Sequence, residues 1–234
     1  MWEEWVKEIK RKLGITDGPE WQTMPRPKGT WTPDSTQAVI NSPFADSVQK
    51  VTGKPRHILP SLPWYDKLQL ATDDVFSGQP IGTSMRDTGG LYTPNTGAVS
   101  MNMGDLGSRS GTEEVLSHEL AHHLYYSDKS EPKRFEKAIA GRKPVNWEYA
   151  SKNKQEHYAE AFANALDIIR SGDQTLRTST YPKAQIDRAF MLETDAMDKR
   201  IPGTKYMIQK LITTDPYKDT LFAKYLRGEL ELKQ

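Results

Sequence analysis

Prolines are concentrated in the first quarter of this 234-residue chain. Eight of its fifteen prolines fall between residues 17 and 63, at positions 19, 25, 27, 33, 43, 55, 60 and 63. Proline has no backbone N–H and its ring clashes with the preceding helical turn, so this density is incompatible with long regular helices. We therefore predict extended chain with frequent turns across this segment, interrupted by one short helix near residues 35–40.

Tryptophan is concentrated in the same part of the chain, because five of the six tryptophans lie within the first 64 residues. An indole ring on extended chain is unfavourable in water, so we expect these rings to dock onto an apolar surface. That surface belongs either to the second domain of this chain or to a partner protein. Before the prolines, apolar residues recur at helical spacing and predict an amphipathic helix over residues 1–13, namely Trp2, Trp5, Val6, Ile9 and Leu13.

From residue 64 onward the sequence has the pattern of a folded, helix-rich domain. A turn over residues 93–97, with glycine at its end, separates two short strand patterns and predicts a hairpin over residues 90–102. The capping-box spacing of Ser110 and Glu113 predicts the start of a helix that runs to about residue 126. Further helices are predicted over residues 64–75, 130–141, 152–170, 183–199, 204–213 and 216–227. We therefore predict an α+β fold with one small sheet over residues 64–234, preceded by the N-terminal helix and extended arm over residues 1–63.

Composition excludes several classes of function. Lysine and arginine total 32 and aspartate and glutamate total 31, so the net charge is +1. This balance argues against nucleic acid or anionic lipid as the main partner, since both require a basic surplus. No apolar run approaches the roughly 18 residues that span a membrane, and the N-terminus lacks the pattern of a secretion signal. The chain contains no cysteine, which excludes disulfides and thiolate chemistry.

The strongest chemical motif lies within the predicted helix over residues 110–126. The letters H-E-L-A-H at residues 118–122 have the H-E-x-x-H pattern. Two imidazoles four residues apart lie on one face of a helix, so their ring nitrogens can bind a common metal ion. Glu119 lies about 100° around the helix, where it can take a proton from a water molecule activated by that ion.

The helical wheel places the two histidines opposite an apolar stripe. Leu116, Leu120 and Leu124 form the stripe that should face the core. We therefore expect His118 and His122 to project away from the core rather than to be buried within it. The alternative to a metal site is a pair of solvated surface histidines.

A zinc hydrolase needs a third protein ligand and one open coordination position. Asp128 lies ten residues after His118, but that geometry needs glycine at the preceding sharp turn, where this chain has Tyr125. The better candidates lie on the predicted helix over residues 152–170, where Glu156 and Glu160 are four residues apart and flanked by alanines. One carboxylate can bind the metal while the other forms a hydrogen bond to a ligand imidazole. His157 is a rival ligand.

The two segments H-E-L-A-H and E-H-Y-A-E-A-F-A resemble the gluzincin pattern of zinc metallopeptidases. They are similar in particular to the catalytic domain of the anthrax lethal factor family and to related metallopeptidases predicted in bacteriophage genomes. The resemblance implies a zincin-like catalytic domain in which Glu156 is the third zinc ligand and Glu160 supports it. It further implies that Tyr149 stabilises the oxyanion and that the hairpin over residues 91–102 binds an extended peptide.

We therefore expect a zinc-dependent metalloendopeptidase that acts on a peptide or protein substrate. His118, His122 and Glu156 would hold Zn²⁺, a set of two imidazoles and one carboxylate that suits this ion. Glu119 would act as the general base, and Tyr149 would stabilise the developing oxyanion. One alternative is a virion or other assembly component that retains the fold for attachment, with its N-terminal arm docked on a protein partner. Another is a peptidase that cleaves peptidoglycan cross-links, and the sequence leaves the location open between virion and cytoplasm.

Overall fold

The computed structural model describes residues 31–104, 107–145, 149–178 and 181–230. The predicted helix over residues 1–13 lies outside the described residues. The described helices, in chain order, are α1 (Pro33–Ile40), α2 (Pro43–Thr52), α3 (Trp64–Phe76), α4 (Thr83–Asp87), α5 (Arg109–Ser127), α6 (Glu131–Ala138), α7 (Lys154–Thr178), α8 (Lys183–Arg200), α9 (Thr204–Leu211) and α10 (Leu221–Leu226). The strands are β1 (His57–Leu59), β2 (Gly90–Thr93) and β3 (Ala98–Met101), and a short 3₁₀ helix covers Tyr217–Asp219. The fold is α+β and helix-rich with one small sheet, as predicted. No described helix has the length and apolarity that crossing a membrane requires.

The chain forms two compact units, and the predicted arm contributes to both. The first unit contains residues up to 40 and residues 56–112, and the second contains residues 41–55 and 113–234. The histidine motif and the candidate third ligands all belong to the second unit.

The first unit is built around a three-stranded sheet in the order β1-β3-β2. The predicted hairpin is confirmed, since β2 pairs antiparallel with β3 and Gly97 ends the turn with a φ of 64°. β1 pairs in parallel with β3, and every residue of β3 is buried. On β3 the Ser100 hydroxyl donates to the buried carboxylate of Asp66, 3.0 Å away on α3. One arm tryptophan, Trp31, packs on Gly107 of this same unit and donates through Nε1 to Thr36 Oγ1 at 3.0 Å.

The prediction of extended chain is wrong for residues 43–52, which form α2. Pro43 occupies the first turn of this helix, where its missing N–H would have no helical partner in any case. Ser42 caps the helix, because its side chain accepts a hydrogen bond from the Ala45 backbone N–H at 3.4 Å. The short helix predicted near residues 35–40 is confirmed as α1, which also starts with a proline.

In the second unit, α7 is the central helix and packs most extensively against α9 and α10. Gly172 on α7 allows the Phe222 ring of α10 to approach, since a Cβ at this position would lie 2.3 Å from Phe222 Cδ2. The C-terminal helix predicted over residues 216–227 is divided at Thr220. The hydroxyl of Thr220 caps α10 by accepting from the Ala223 N–H at 3.1 Å.

The helix that carries the H-E-x-x-H motif is α5. Its apolar stripe is buried as predicted, with Leu116, Leu120 and Leu124 at 0%, 0% and 8% exposure. The predicted cap is wrong by two residues, because Ser108 rather than Ser110 accepts a hydrogen bond from the Gly111 N–H, at 3.1 Å. A capping box starting at Ser110 would use the Glu113 N–H as its donor, whereas Ser108 caps the helix one residue before Arg109.

Candidate metal centre

Helices α5 and α7 bring three ligand-type side chains together. His118 Nε2 lies 2.9 Å from Glu156 Oε2, and His122 Nε2 lies 3.3 Å from the same oxygen. The two imidazole Nε2 atoms are 3.2 Å apart. All three ligand atoms lie within 4.8 Å of one another. Among the described residues, this is the one cluster of at least three metal-ligating side chains that are so close together. The cluster could therefore bind a metal ion.

The separations between the three atoms fit coordination of one small cation. Ligands about 2.0–2.1 Å from a tetrahedral metal ion lie roughly 3.3 Å from each other. The observed separations run from 2.9 to 3.3 Å. Two imidazoles and a carboxylate also form a donor set that suits borderline metal ions. Both the distances and the chemistry of the donors fit a metal site.

The histidine pair is buried, contrary to the expectation from the helical wheel. His118 and His122 are 7% and 8% exposed. The helical wheel correctly separates the two histidines from the leucine stripe. Side chains of α7, together with Tyr149 in the turn before α7, cover the face on which the histidines lie. Burial excludes the alternative of a solvated surface pair, and it lowers the dielectric around the cluster.

Glu160 holds the second nitrogen of His118. Its Oε1 lies 3.1 Å from His118 Nδ1, one turn of α7 after Glu156. A proton on Nδ1 then donates to Glu160, so that a metal ion can bind Nε2 once this second nitrogen has lost its proton. The structure thus brings Glu156 and Glu160 to the two nitrogens of one imidazole.

The start of α7 fixes the position of Glu156. Asn153 Oδ1 accepts a hydrogen bond from the Glu156 backbone N–H at 2.9 Å, so Asn153 caps the first turn. The positive end of the helix dipole also favours a carboxylate in this turn. Asn153 is not among the predicted site residues, although the N-x-x-E spacing before an apolar helix indicates such a cap.

The cluster is strongly polarised. Burial opposes the charged form of His118, but hydrogen bonds to Glu156 and Glu160 outweigh it and raise the pKa of His118 to about 10. Burial likewise opposes ionisation of Glu156, but its hydrogen bonds to His118 and His122 lower the pKa of Glu156 to about 2. In the metal-free protein, a buried imidazolium therefore faces a carboxylate at neutral pH.

Glu119 and Tyr149 lie close to the cluster. Glu119 is 5% exposed, and its charge contributes to raising the pKa of His118. The Tyr149 ring centroid lies 5.6 Å from that of His118, and the Lys152 Nζ lies 4.1 Å from the Tyr149 centroid on the ring face. Burial, followed by the charges of Glu156, Glu119 and Glu160, raises the pKa of Tyr149. Its hydroxyl therefore remains protonated at neutral pH and can donate a hydrogen bond.

The two rival ligands lie elsewhere. The Asp128 carboxylate accepts hydrogen bonds from Ser130 and Arg134, at 2.9 Å from the Ser130 N–H and 2.8 Å from Arg134 Nη2. His157 is buried, and its Nε2 lies 2.7 Å from the Pro202 carbonyl oxygen. Burial lowers the pKa of His157, so its neutral ring donates this hydrogen bond.

A small, mainly apolar cavity lies beside the first turn of α7. Its volume is about 190 Å³, and its lining includes Tyr125, Phe135, Ile139 and His157. Tyr125 follows His122 by one helical turn on α5, and His157 is the residue after Glu156. The cavity is therefore within one turn of the candidate ligands on both helices.

No protein-family model matches this chain, and no match is found among the curated proteins or the solved structures compared with it. Function is therefore inferred from the geometry of the site together with the sequence motif.

Proposed function

We propose that this chain is a zinc-dependent metalloendopeptidase of the gluzincin type, with a zincin-like catalytic domain. The observation that supports it best is the convergence of His118, His122 and Glu156, with Glu160 on the opposite nitrogen of His118. Catalytic zinc sites use three protein ligands and keep one coordination position open, and this cluster supplies three ligand-type side chains. When bound, zinc supplies Lewis-acid chemistry, since it acidifies a water molecule and polarises a carbonyl group.

The chain's own residues have distinct roles in this proposal. The Glu119 carboxylate takes a proton from the attacking water and delivers it to the nitrogen of the leaving amine. The protonated Tyr149 hydroxyl donates to the oxygen of the scissile carbonyl as negative charge develops there. Glu160 keeps the Nδ1 proton of His118 in place, which orients the ring.

Metal analysis combined with two matched variants tests the proposal. The purified parent should contain one zinc per chain, and Glu156→Ala should lose it. Glu119→Gln should keep the zinc and lose nearly all cleavage of a denatured-protein panel. Glu193→Ala, which removes an exposed glutamate on α8, should change neither property. Zinc retained in Glu156→Ala would refute the ligand assignment, whereas full activity in Glu119→Gln would refute the mechanism.

The second candidate function is attachment within an assembly such as a virion, with the peptidase fold retained. Exposed aromatic side chains on α3 favour it, since Trp64 is 61% exposed and Phe76 is 86% exposed. The double variant Trp64→Ser/Phe76→Ser removes both exposed rings and separates the two functions. An independent enzyme should still cleave substrate, whereas an assembly component should first lose attachment to its partner.

The peptidoglycan alternative uses the same site and differs only in its substrate. Digestion of purified peptidoglycan, beside the denatured-protein panel, distinguishes the two. Release of cross-link peptides by the parent but not by Glu119→Gln would favour the cell-wall substrate.

A further inference from the structure

An open surface pocket in the same unit lies where the loop at residues 142–145 meets the end of α8 and the start of α9. Its volume is about 450 Å³, within the range of small-molecule sites. It is lined by four cationic side chains and two carboxylates, namely Arg142, Lys143, Lys199, Lys205, Asp195 and Asp198. None of these residues belongs to the candidate metal centre.

Two of the four cations are neutralised within the protein. Arg142 Nη2 lies 2.8 Å from Asp198 Oδ2, and Lys205 Nζ lies 2.5 Å from Asp195 Oδ1. The ammonium groups of Lys143 and Lys199 form no ion pair or hydrogen bond with any other described residue. The pocket therefore has an excess of about two positive charges, carried by these two lysines.

The arginine is held in a fixed position by a buried carboxylate. Asp198 is 6% exposed, and its Oδ1 accepts hydrogen bonds from the Gly203 and Lys205 backbone N–H groups, each at 3.0 Å. Arg142 binds Asp198 through Nη2 alone, to both the carboxylate and the carbonyl oxygen. Its Nη1 and Nε atoms form no hydrogen bond to a described residue. A pre-positioned guanidinium with free donors suits a planar or tetrahedral oxyanion.

We propose that this surface pocket, called the basic pocket, binds the phosphate group of a small molecule. A phosphate monoester carries nearly two negative charges at neutral pH, which matches the excess charge of Lys143 and Lys199. The free donors of Arg142 can bind two phosphate oxygens. The volume exceeds that of a phosphate group, and Val145 and Pro202 offer an apolar wall for the rest of the ligand. The proposal does not depend on the peptidase function.

Calorimetric titration of the full-length protein tests this site at constant ionic strength with four probes, namely inorganic phosphate, adenosine 5′-monophosphate, adenosine and a diglutamate peptide. Inorganic phosphate and adenosine 5′-monophosphate should each bind saturably with one site per chain, and adenosine should not bind. Tighter binding of the nucleotide would identify a phosphorylated small molecule as the source of the anion, whereas equal binding would identify free phosphate.

The double variant Lys143→Gln/Lys199→Gln should weaken phosphate binding about tenfold or more, because two charge-assisted contacts are lost. The control Lys133→Gln/Lys137→Gln makes the same charge change on two exposed lysines of α6 and should bind like the parent. Thermal unfolding should be alike in all three proteins, since none of these lysine side chains pairs with a residue in the described part of the chain. Equal phosphate affinity in the parent and the first double variant would overturn the proposal. So would the absence of saturable binding, or binding of a diglutamate peptide in place of phosphate.

Discussion

The metal affinity of the candidate centre should continue to rise with pH well above neutrality. A metal ion can bind His118 Nε2 only after that atom loses its proton, and the pKa of His118 is raised to about 10. Below this pKa, metal affinity should rise tenfold per pH unit, which gives about 100-fold between pH 7 and pH 9. An imidazole with the ordinary pKa of about 6.5 would give a change of less than about 1.5-fold over the same interval.

The assay is competition for zinc between the metal-free protein and a chromophoric chelator at pH 7, 8 and 9, corrected for protonation of the chelator. Calorimetry in buffers with different ionisation enthalpies counts the protons released at each pH. An affinity that changes less than twofold between pH 7 and pH 9 would refute the assignment of a buried imidazolium at His118.

The variant Glu160→Gln sharpens this test because its effect on metal affinity should be larger at high pH than near neutrality. Loss of the carboxylate removes one cause of the raised pKa of His118, so the affinity should level off at a lower pH. At pH 9 and above, the less well oriented ring should reduce metal affinity by about 10–100-fold. Near pH 7 the difference from the parent should be smaller, since fewer variant rings must lose a proton. Glu193→Gln, on the exposed face of α8, should follow the parent at every pH.

Three further predictions concern catalysis and stability. Tyr149→Phe should keep its metal but lose about 10²–10³ in kcat with little change in KM, as measured by steady-state cleavage of a peptide. Gly172→Ala should lower the free energy of unfolding by about 1–3 kcal/mol, as measured by urea denaturation. The cost of overpacking against Phe222 exceeds the gain of up to about 1 kcal/mol in helix propensity. The control Gln174→Ala, on the exposed side of α7, should change the free energy of unfolding by less than about 0.5 kcal/mol. The metal-free protein should lose stability as pH rises from about 6.5 towards 10, because His118 is protonated only below its raised pKa; equal urea midpoints at pH 6 and pH 9 would contradict this.

The sequence predicts those parts of the site that depend on local periodicity. Four-residue spacing on a helix suffices to place His118 beside His122 and Glu156 beside Glu160. Burial of the histidines does not follow from that spacing, since the carboxylate that contacts His118 lies 38 residues later in the chain. The convergence of two helices depends on tertiary packing, which periodicity does not encode.

The same distinction explains the elements that were missed. Helix α2 was not predicted because proline density was treated as incompatible with helix, whereas Pro43 lies in a first turn that tolerates it. The basic pocket was not predicted because Arg142 and Asp198 are 56 residues apart and meet only through packing of α8 and α9. For α2, the position of one proline in the first turn matters more than the number of prolines in the segment. For the basic pocket, no local sequence pattern connects the residues that form it.

The cap at Asn153 has a consequence for how the connection before α7 can vary. Because Glu156 lies in the first turn, its direction is set by where the helix begins, and the capping residue and the ligand move as one rigid piece. A residue inserted before Asn153 lengthens only the connection before α7 and leaves the Glu156 carboxylate directed at the imidazoles. A residue inserted between Asn153 and Glu156 rotates the carboxylate by about 100° around the helix axis, away from both imidazoles. Homologous chains can therefore differ freely in the length of that connection while the three residues from cap to ligand stay constant in number.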